Sequence, residues 1–207
     1  MNLRKLTRNA IKHAWPRAMR YIVYCRDLGA PFPDVPNPLG VRIERLDGPG
    51  VNHAAVEVAA YGRLRRLFRR ARALGWQAYV ARLDGRIVGA TFIGRGHIRC
   101  HGLRVHRFSD LERYSAMTFV LPGFRGHKLF HLLKVESYLD QRAAGVQRIY
   151  NMVRQSNAQS LRVHRNLDAR VQFGVFAVVW LRLNIFFRRV QPPADGSVFS
   201  WIGPAGR

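Results

Sequence analysis

The residues best placed to do chemistry lie in the turn Arg125-Gly126-His127-Lys128. Just before it, Met117-Thr118-Phe119-Val120-Leu121 is β-rich and stops at Pro122-Gly123. Just after it, Leu129, Leu132, Leu133, Leu139 and Ala143 recur at helical spacing. A strand, a basic turn and a helix start, in that order, aim backbone N–H groups and the positive end of a helix dipole at one point. A phosphate suits that arrangement. Two other residues can move protons: Glu112, ahead of the strand, and His164, in a later helical stretch. His97, Cys100, His101 and His106 include metal-ligand types. One Cys-His adjacency in an arginine-rich stretch lacks the paired short spacings of a zinc site, so no metal is expected. Ser109 and Asp110 make no nucleophile setting by adjacency alone. Cys25 has basic neighbours that favour a thiolate, against the commoner packing role of a lone cysteine.

The elements that must position these groups can be read in order. The first segment reads as a basic helix to about Leu28, broken or kinked at Pro16, followed by a strap holding Pro31, Pro33, Pro36 and Pro38. Val41 to Glu44 alternates as a strand does, and Asp47-Gly48-Pro49-Gly50 turns the chain. Val51 to Leu74 is helical with a break near Gly62. Leu64, Leu67, Phe68, Ala71 and Leu74 share one face, and Arg63, Arg65, Arg66, Arg69, Arg70 and Arg72 take the rest, a face expected to be solvated. Gln77–Leu83 and Arg86–Ile93 flank Asp84-Gly85 as a hairpin. His97 to Phe108 reads as an irregular basic strand region, and Tyr114 to Leu121 is the strand that delivers the turn. In the long helix, Glu136 falls near the apolar stripe, where half-burial beside an arginine is expected. Gly145 is a C-cap candidate, Val146 to Arg154 a strand, and Ser156 or Asn157 caps a helix to about Leu167. The apolar run Val171 to Phe187 carries Gln172, Arg182 and Asn184, so buried strands suit it better than a membrane span. The tail from Gln191 is expected to be irregular. Strands and helices in this order make a mixed α/β sheet with few crossovers.

The chain has 207 residues and a formal net charge of +23, from 35 Lys plus Arg against 12 Asp plus Glu. That field attracts anions: nucleic acid, acidic lipid head groups, acidic proteins and phosphorylated cofactors. Two cysteines make no disulfide framework in a chain this long, which points to a reducing, cytoplasmic setting. The first 26 residues carry seven basic side chains and no acid, interrupted so that no signal-peptide core exists. Peripheral contact with an anionic membrane is one use for such a segment.

Four local features, between about Val41 and Phe176, resemble the GNAT superfamily of acyl-CoA-dependent N-acyltransferases. They are the hairpin Val80-Ala81-Arg82-Leu83-Asp84-Gly85-Arg86-Ile87-Val88-Gly89, the phrase Val120-Leu121-Pro122-Gly123-Phe124-Arg125-Gly126, the placing of Gly145 before the next strand, and the spacing of Asn157, Ser160 and His164. The resemblance implies a mostly antiparallel central sheet flanked by helices over residues 41–190. Residues 1–40 would then form a basic N-terminal helix and strap, and 191–207 an irregular tail. It implies acetyl-CoA or another acyl-CoA as co-substrate. The backbone of Phe124, Arg125, Gly126, His127, Lys128, Leu129 and Phe130 would hold the pyrophosphate. Phe119, Val120 and Leu121 would pair with the pantetheine arm, with Asn157 and Ser160 beside it. His164 stands where the family commonly has a Tyr that protonates the departing thiolate, and Glu112 is the best-placed base. The family's loop has small residues where this chain has Lys128 and Phe130, which implies a looser cradle in which the Lys128 ammonium replaces part of the backbone contact. The acceptor would be a primary amine, on an anionic molecule given the charge of the chain. The rival class is a non-enzymatic basic module on a degenerate acyl-CoA fold, binding nucleic acid or an acidic partner.

Overall fold

A computed structural model describes residues 17–100, 103–180 and 183–190. Its frame is an eight-stranded sheet. The strands are β1 (Arg17–Asp27), β2 (Arg42–Leu46), β3 (Gln77–Leu83), β4 (Arg86–Gly94), β7 (Glu112–Val120), β8 (Arg148–Arg154), β9 (Arg170–Trp180) and β10 (Leu183–Val190). Their spatial order is β10-β9-β1-β8-β7-β4-β3-β2. All neighbours are antiparallel except β7 and β8. A separate hairpin, β5 (His97–Cys100) and β6 (Leu103–Arg107), replaces the irregular region expected there.

Period-two alternation in β3 sorts the core onto two faces. Ala78 and Val80 point to the side covered by α1 (Pro49–Glu57) and α2 (Gly62–Ala73), where Val51, Leu64, Phe68 and Ala71 meet Ala90 and Phe92. Tyr79 and Ala81 point to the other side, covered by α3 (Leu129–Ala143) through Leu129, Leu133, Val135 and Tyr138. The short helix α4 (Ala158–Asn166) adds Val163 to that layer. Gly94 is required by packing: a Cβ there would sit 2.2 Å from Trp76 Nε1.

The break between α1 and α2 falls before Gly62, as the sequence indicates, and the α2 arginines are exposed. Leu74, expected on the apolar face, closes α2 as its C-cap and stays 48% exposed. The apolar run after Arg170 makes the β9–β10 hairpin. Among the described residues no helix is long and apolar enough to cross a membrane.

Two expectations are corrected. The segment before Leu28 is not helical where it is described: Arg17–Asp27 is strand β1, paired with β8 on one side and β9 on the other. Tyr21-Ile22-Val23-Tyr24 is β-branched and aromatic, and its alternation serves two cores, Val23 and Cys25 in one and Tyr24 in another. Residues 1–16, with Pro16, lie outside the described residues, as does the tail from Gln191. Glu136 is exposed on α3, because its neighbours Val135 and Ser137 take the buried positions.

Candidate functional site

The parallel strands β7 and β8 pair only over Glu112–Tyr114 against Arg148–Tyr150. On its other edge β7 carries a bulge. Ala116 pairs with Phe92 and Phe119 with Ala90, so Met117 and Thr118 together face Thr91, and Met117 takes φ +32°. A bulge bends its strand and strengthens the local twist. Past Tyr114 the two strands separate, and a cavity of about 200 Å³ lies between Ser115–Thr118 on one side and Asn151–Arg154 on the other.

At the far end of β7 the chain makes one 3₁₀ turn, Pro122–Phe124, and the basic turn, and enters α3. Gly126 takes φ +90°, which glycine tolerates without strain. Lys128 is the N-cap of α3 in the left-handed conformation, φ +57°, and no side chain caps the helix. The first α-helical bond returns from Leu132 N–H to Lys128 C=O, which leaves the N–H groups of Leu129, Phe130 and His131 without an acceptor within the helix. A second cavity, about 420 Å³, lies in front of them, with Arg63, Arg125, Lys128 and Arg162 around it. Arg63, Thr118, Phe119, Phe130, Asn157 and Ser160 line both cavities, so the two adjoin. Among the described residues no Asp or Glu lines either one.

Most of the expected binding residues converge here. Phe119, Val120, Phe124, Arg125, Gly126, Lys128, Leu129, Phe130, Asn157 and Ser160 line the larger cavity. Leu121 does not: its side chain is buried in the core beneath α1 and α2. His127 is exposed and lines neither cavity. Asn157 is the N-cap of α4, accepting from the Ser160 N–H at 3.1 Å, so their spacing is the spacing of a helix start. His164 lines the smaller cavity and stacks on Tyr24, with ring centroids 5.3 Å apart. Burial first, then the charges of Lys134 and His131, lower its imidazole to about 3, so it is neutral at physiological pH. Its Nδ1 is buried without a hydrogen-bond partner among the described residues.

Glu112 lies apart from both cavities. Its carboxylate accepts from the Ser109 N–H at 3.0 Å and the Tyr150 hydroxyl at 3.0 Å, and Arg148 pairs with it at 3.1 Å. Burial alone would raise this carboxyl. The His106 imidazole 3.9 Å away, the two hydrogen bonds and Arg148 outweigh burial and hold it at about 2. Cys25 is a packing residue, its thiol pushed up to about 11, chiefly by burial. Among the described residues no three His, Cys, Asp or Glu gather as metal ligands, and His101 lies outside them.

Sequence reasoning missed Lys134, Ser115 and Asn151. Lys134 is 2% exposed, and its ammonium donates to Ser115 Oγ at 2.6 Å and to Asn151 Oδ1 at 2.8 Å. Burial lowers it to about 7. The available signal was a stripe: Phe130, Lys134 and Tyr138 follow at four-residue steps, which puts the lysine between two rings on the inner face of α3.

No family model matches the chain, and no curated protein matches it. Solved structures do. A GNAT-family acetyltransferase structure from Novosphingobium aromaticivorans superposes with a TM-score of 0.53 at 18% identity, over 78% of this chain and 64% of that one. The fold is that of the GNAT acyltransferases. A GCN5-related N-acetyltransferase from Sphaerobacter thermophilus gives 0.54 at 16% identity, over 90% of this chain and 56% of that one. A glucosamine N-acetyltransferase region of a fungal multi-domain β-N-acetylglucosaminidase gives 0.55 at 11% identity, over 83% of this chain and 22% of that one. The chain therefore spans less than two thirds of these structures' own length. The mixed, mostly antiparallel sheet expected from the GNAT-like phrases is the sheet observed.

Proposed function

We propose that this chain transfers an acyl group, most simply acetyl, from acyl-CoA to a primary amine on an anionic acceptor. The observation that carries the proposal is the separation of β7 from β8 directly beside an uncapped, basic helix start. Separation frees the backbone edge of β7 around Phe119 and Val120 for an extended amide-bearing arm, which such an edge binds by main-chain hydrogen bonds. The helix start offers the N–H groups of Leu129, Phe130 and His131 to a pyrophosphate, with Arg125 and Lys128 beside them. Acyl-CoA brings both parts, and its thioester supplies the activated acyl group.

Phe130, wide where the family's loop is small, lines both cavities and stands where they adjoin. Asn157 and Ser160 flank the arm. His164, held neutral by burial, serves as a hydrogen-bonding group near the sulfur rather than as an imidazolium acid. Glu112 serves the sheet and not the reaction, since its oxygens are occupied and it lines neither cavity. Arg63, Lys134 and Arg154 line the smaller cavity without any acid, which favours an acceptor that carries negative charge of its own. A cytoplasmic setting fits the unpaired, buried Cys25.

Titration calorimetry with acetyl-CoA and a series of longer acyl-CoAs tests this reading. Saturable binding is expected with at least one of them, and absence of heat with every one overturns it. His164→Ala is expected to lower turnover more than affinity, and an unchanged rate removes His164 from the reaction. One observation favours a second reading. The exposed arginines of α2 could hold nucleic acid or an acidic partner, in which case affinity for RNA or DNA falls steeply with salt.

A further inference from the structure

An amine acceptor arrives at neutral pH as an ammonium and must lose a proton before it can attack a carbonyl. Among the described residues the cavities offer no carboxylate for that task. His164 is too weakly basic, and the arginines at the rim do not give up their protons. His131 lines only the larger cavity, at the helix start proposed for the pyrophosphate, so the group of suitable type in the smaller cavity is the amine of Lys134.

Its surroundings are unusual for this chain. Only four of the 35 basic residues are lysines, Lys5, Lys12, Lys128 and Lys134, so arginine is the ordinary carrier of charge here. The one lysine on the inner face of α3 lines the smaller cavity, has no acid partner and is fixed by Ser115 and Asn151. Asn151 is fixed in turn, exchanging hydrogen bonds with the Tyr138 hydroxyl at 2.9 and 3.2 Å. An arginine would stay charged at any pH; a desolvated lysine can lose its proton and act as a base. In the neutral form its two N–H bonds go to Ser115 Oγ and Asn151 Oδ1, and the lone pair is left for the cavity.

We propose that Lys134 is the catalytic base of this site, held by Ser115 and Asn151 so that its neutral amine takes the proton from the acceptor ammonium. The inference rests on the acyl-transfer reading. One ammonium N–H bond breaks as an N–H bond forms on Lys134 Nζ. The freed amine forms its C–N bond to the acyl carbon as the C–S bond breaks, and the departing sulfur takes up the second proton of the attacking nitrogen. Lys134 then returns its proton to solvent. Rate should therefore rise with pH through an apparent pKa near 7. Burial sets that value; the titratable and charged groups around the site are Tyr138 and His131 of α3, His164 of α4, Arg154 of β8, Arg63 of α2, and Arg26 and Cys25 of β1, which act on Tyr138.

The first test needs no substrate. In protein labelled with ¹³C-lysine, the four Cε signals are followed against pH, with Lys134→Met assigning the one of interest. A signal titrating near 7 and missing from the variant is expected; a Lys134 signal titrating at the ordinary lysine value overturns the proposal. The second test is kinetic. Lys134→Met and Lys134→Arg should each lower kcat by about 100-fold or more and abolish the limb near pH 7, with acyl-CoA affinity kept within about three-fold. Full activity and an unchanged pH profile in Lys134→Arg would show that only positive charge matters and overturn the proposal. Wild-type protein that binds no acyl-CoA refutes the acyl-transfer reading. Wild-type protein that binds and turns over, with variants that keep the limb, refutes the role of Lys134 alone.

Discussion

At the Glu112 end, β7 lies against β8 and the buried charge is matched: one carboxylate, two hydrogen-bond donors and Arg148. At the other end of the same two strands the backbones part, and the buried charge is a lysine whose partners are a hydroxyl and an amide oxygen. The two buried groups move in opposite senses. The Glu112 carboxyl is stabilised as an anion by its donors, and Lys134 is destabilised as a cation by burial with no acid to offset it. The contrast teaches that closure and satisfaction go together in this sheet. Where the strands close, charge holds them; where they open, charge is left available for a ligand. Met117 and Lys128, both at positive φ, belong to the open end, while Asp84 and Asp168 take positive φ in turns elsewhere.

Among changes that keep Lys134, the largest expected effect comes from moving an acid to the open end. Asn151→Asp puts a carboxylate where the amide oxygen now lies 2.8 Å from Lys134, and an opposite charge that close raises a lysine by about 1–3 pKa units. Turnover at pH 7 should fall by roughly ten-fold and recover on the alkaline side as the limb moves up, which a pH–rate profile would show. An unmoved limb would break the comparison.

Next comes the loss of the acid from the closed end. Glu112→Gln should cost about 1–3 kcal/mol of stability in urea denaturation, since it leaves Arg148 and the surrounding donors with a weaker partner. Turnover should be unchanged. The sign with pH is set by the folded value of about 2 against an ordinary 4.5. The stability from Glu112 is fully present above the ordinary value and is lost as pH falls toward about 2. The gap between wild type and variant should close across that window.

Smaller effects are expected at the turn. Arg125→Ala should weaken acyl-CoA binding by roughly two- to five-fold in calorimetry, the range of one favourable charge at a helix start, and Lys128→Glu, which reverses a charge, by more. The glutamate should leave α3 no less stable, because an acid suits a helix N-terminus even while it repels a phosphate. Lys128→Gly is the mildest change. It relieves the left-handed conformation and should stabilise the fold by about 1 kcal/mol in thermal or urea melts while weakening cofactor binding slightly. A destabilised Lys128→Gly protein would show that the lysine side chain holds the turn together.

Much of this protein was legible in order along the chain. The Asp84-Gly85 hairpin, the break before Gly62, the turn into α3 and the Asn157 cap are local events, decided by turn chemistry, helix spacing and capping within a few residues. The stretch before Leu28 was not, because its arginines and interrupted apolar pattern suit a surface helix as well as a strand. Only the two partners, β8 and β9, decide for the strand by taking up its backbone hydrogen bonds. The same limit applies to the site. The sequence by itself determined the basic turn, the excess of arginine over acid and the order of elements that resembles an acyl-CoA-binding fold. Which protonatable groups face one another was a tertiary decision. Glu112 and His164 read alike as acid–base candidates, yet the parting of β7 from β8 leaves the first closed in a network and the second beside a cavity. Lys134 looked like one charge in a helix until the sheet buried it. A lysine's chemistry is set by the water and charge removed from around it, and both depend on residues far away in the chain.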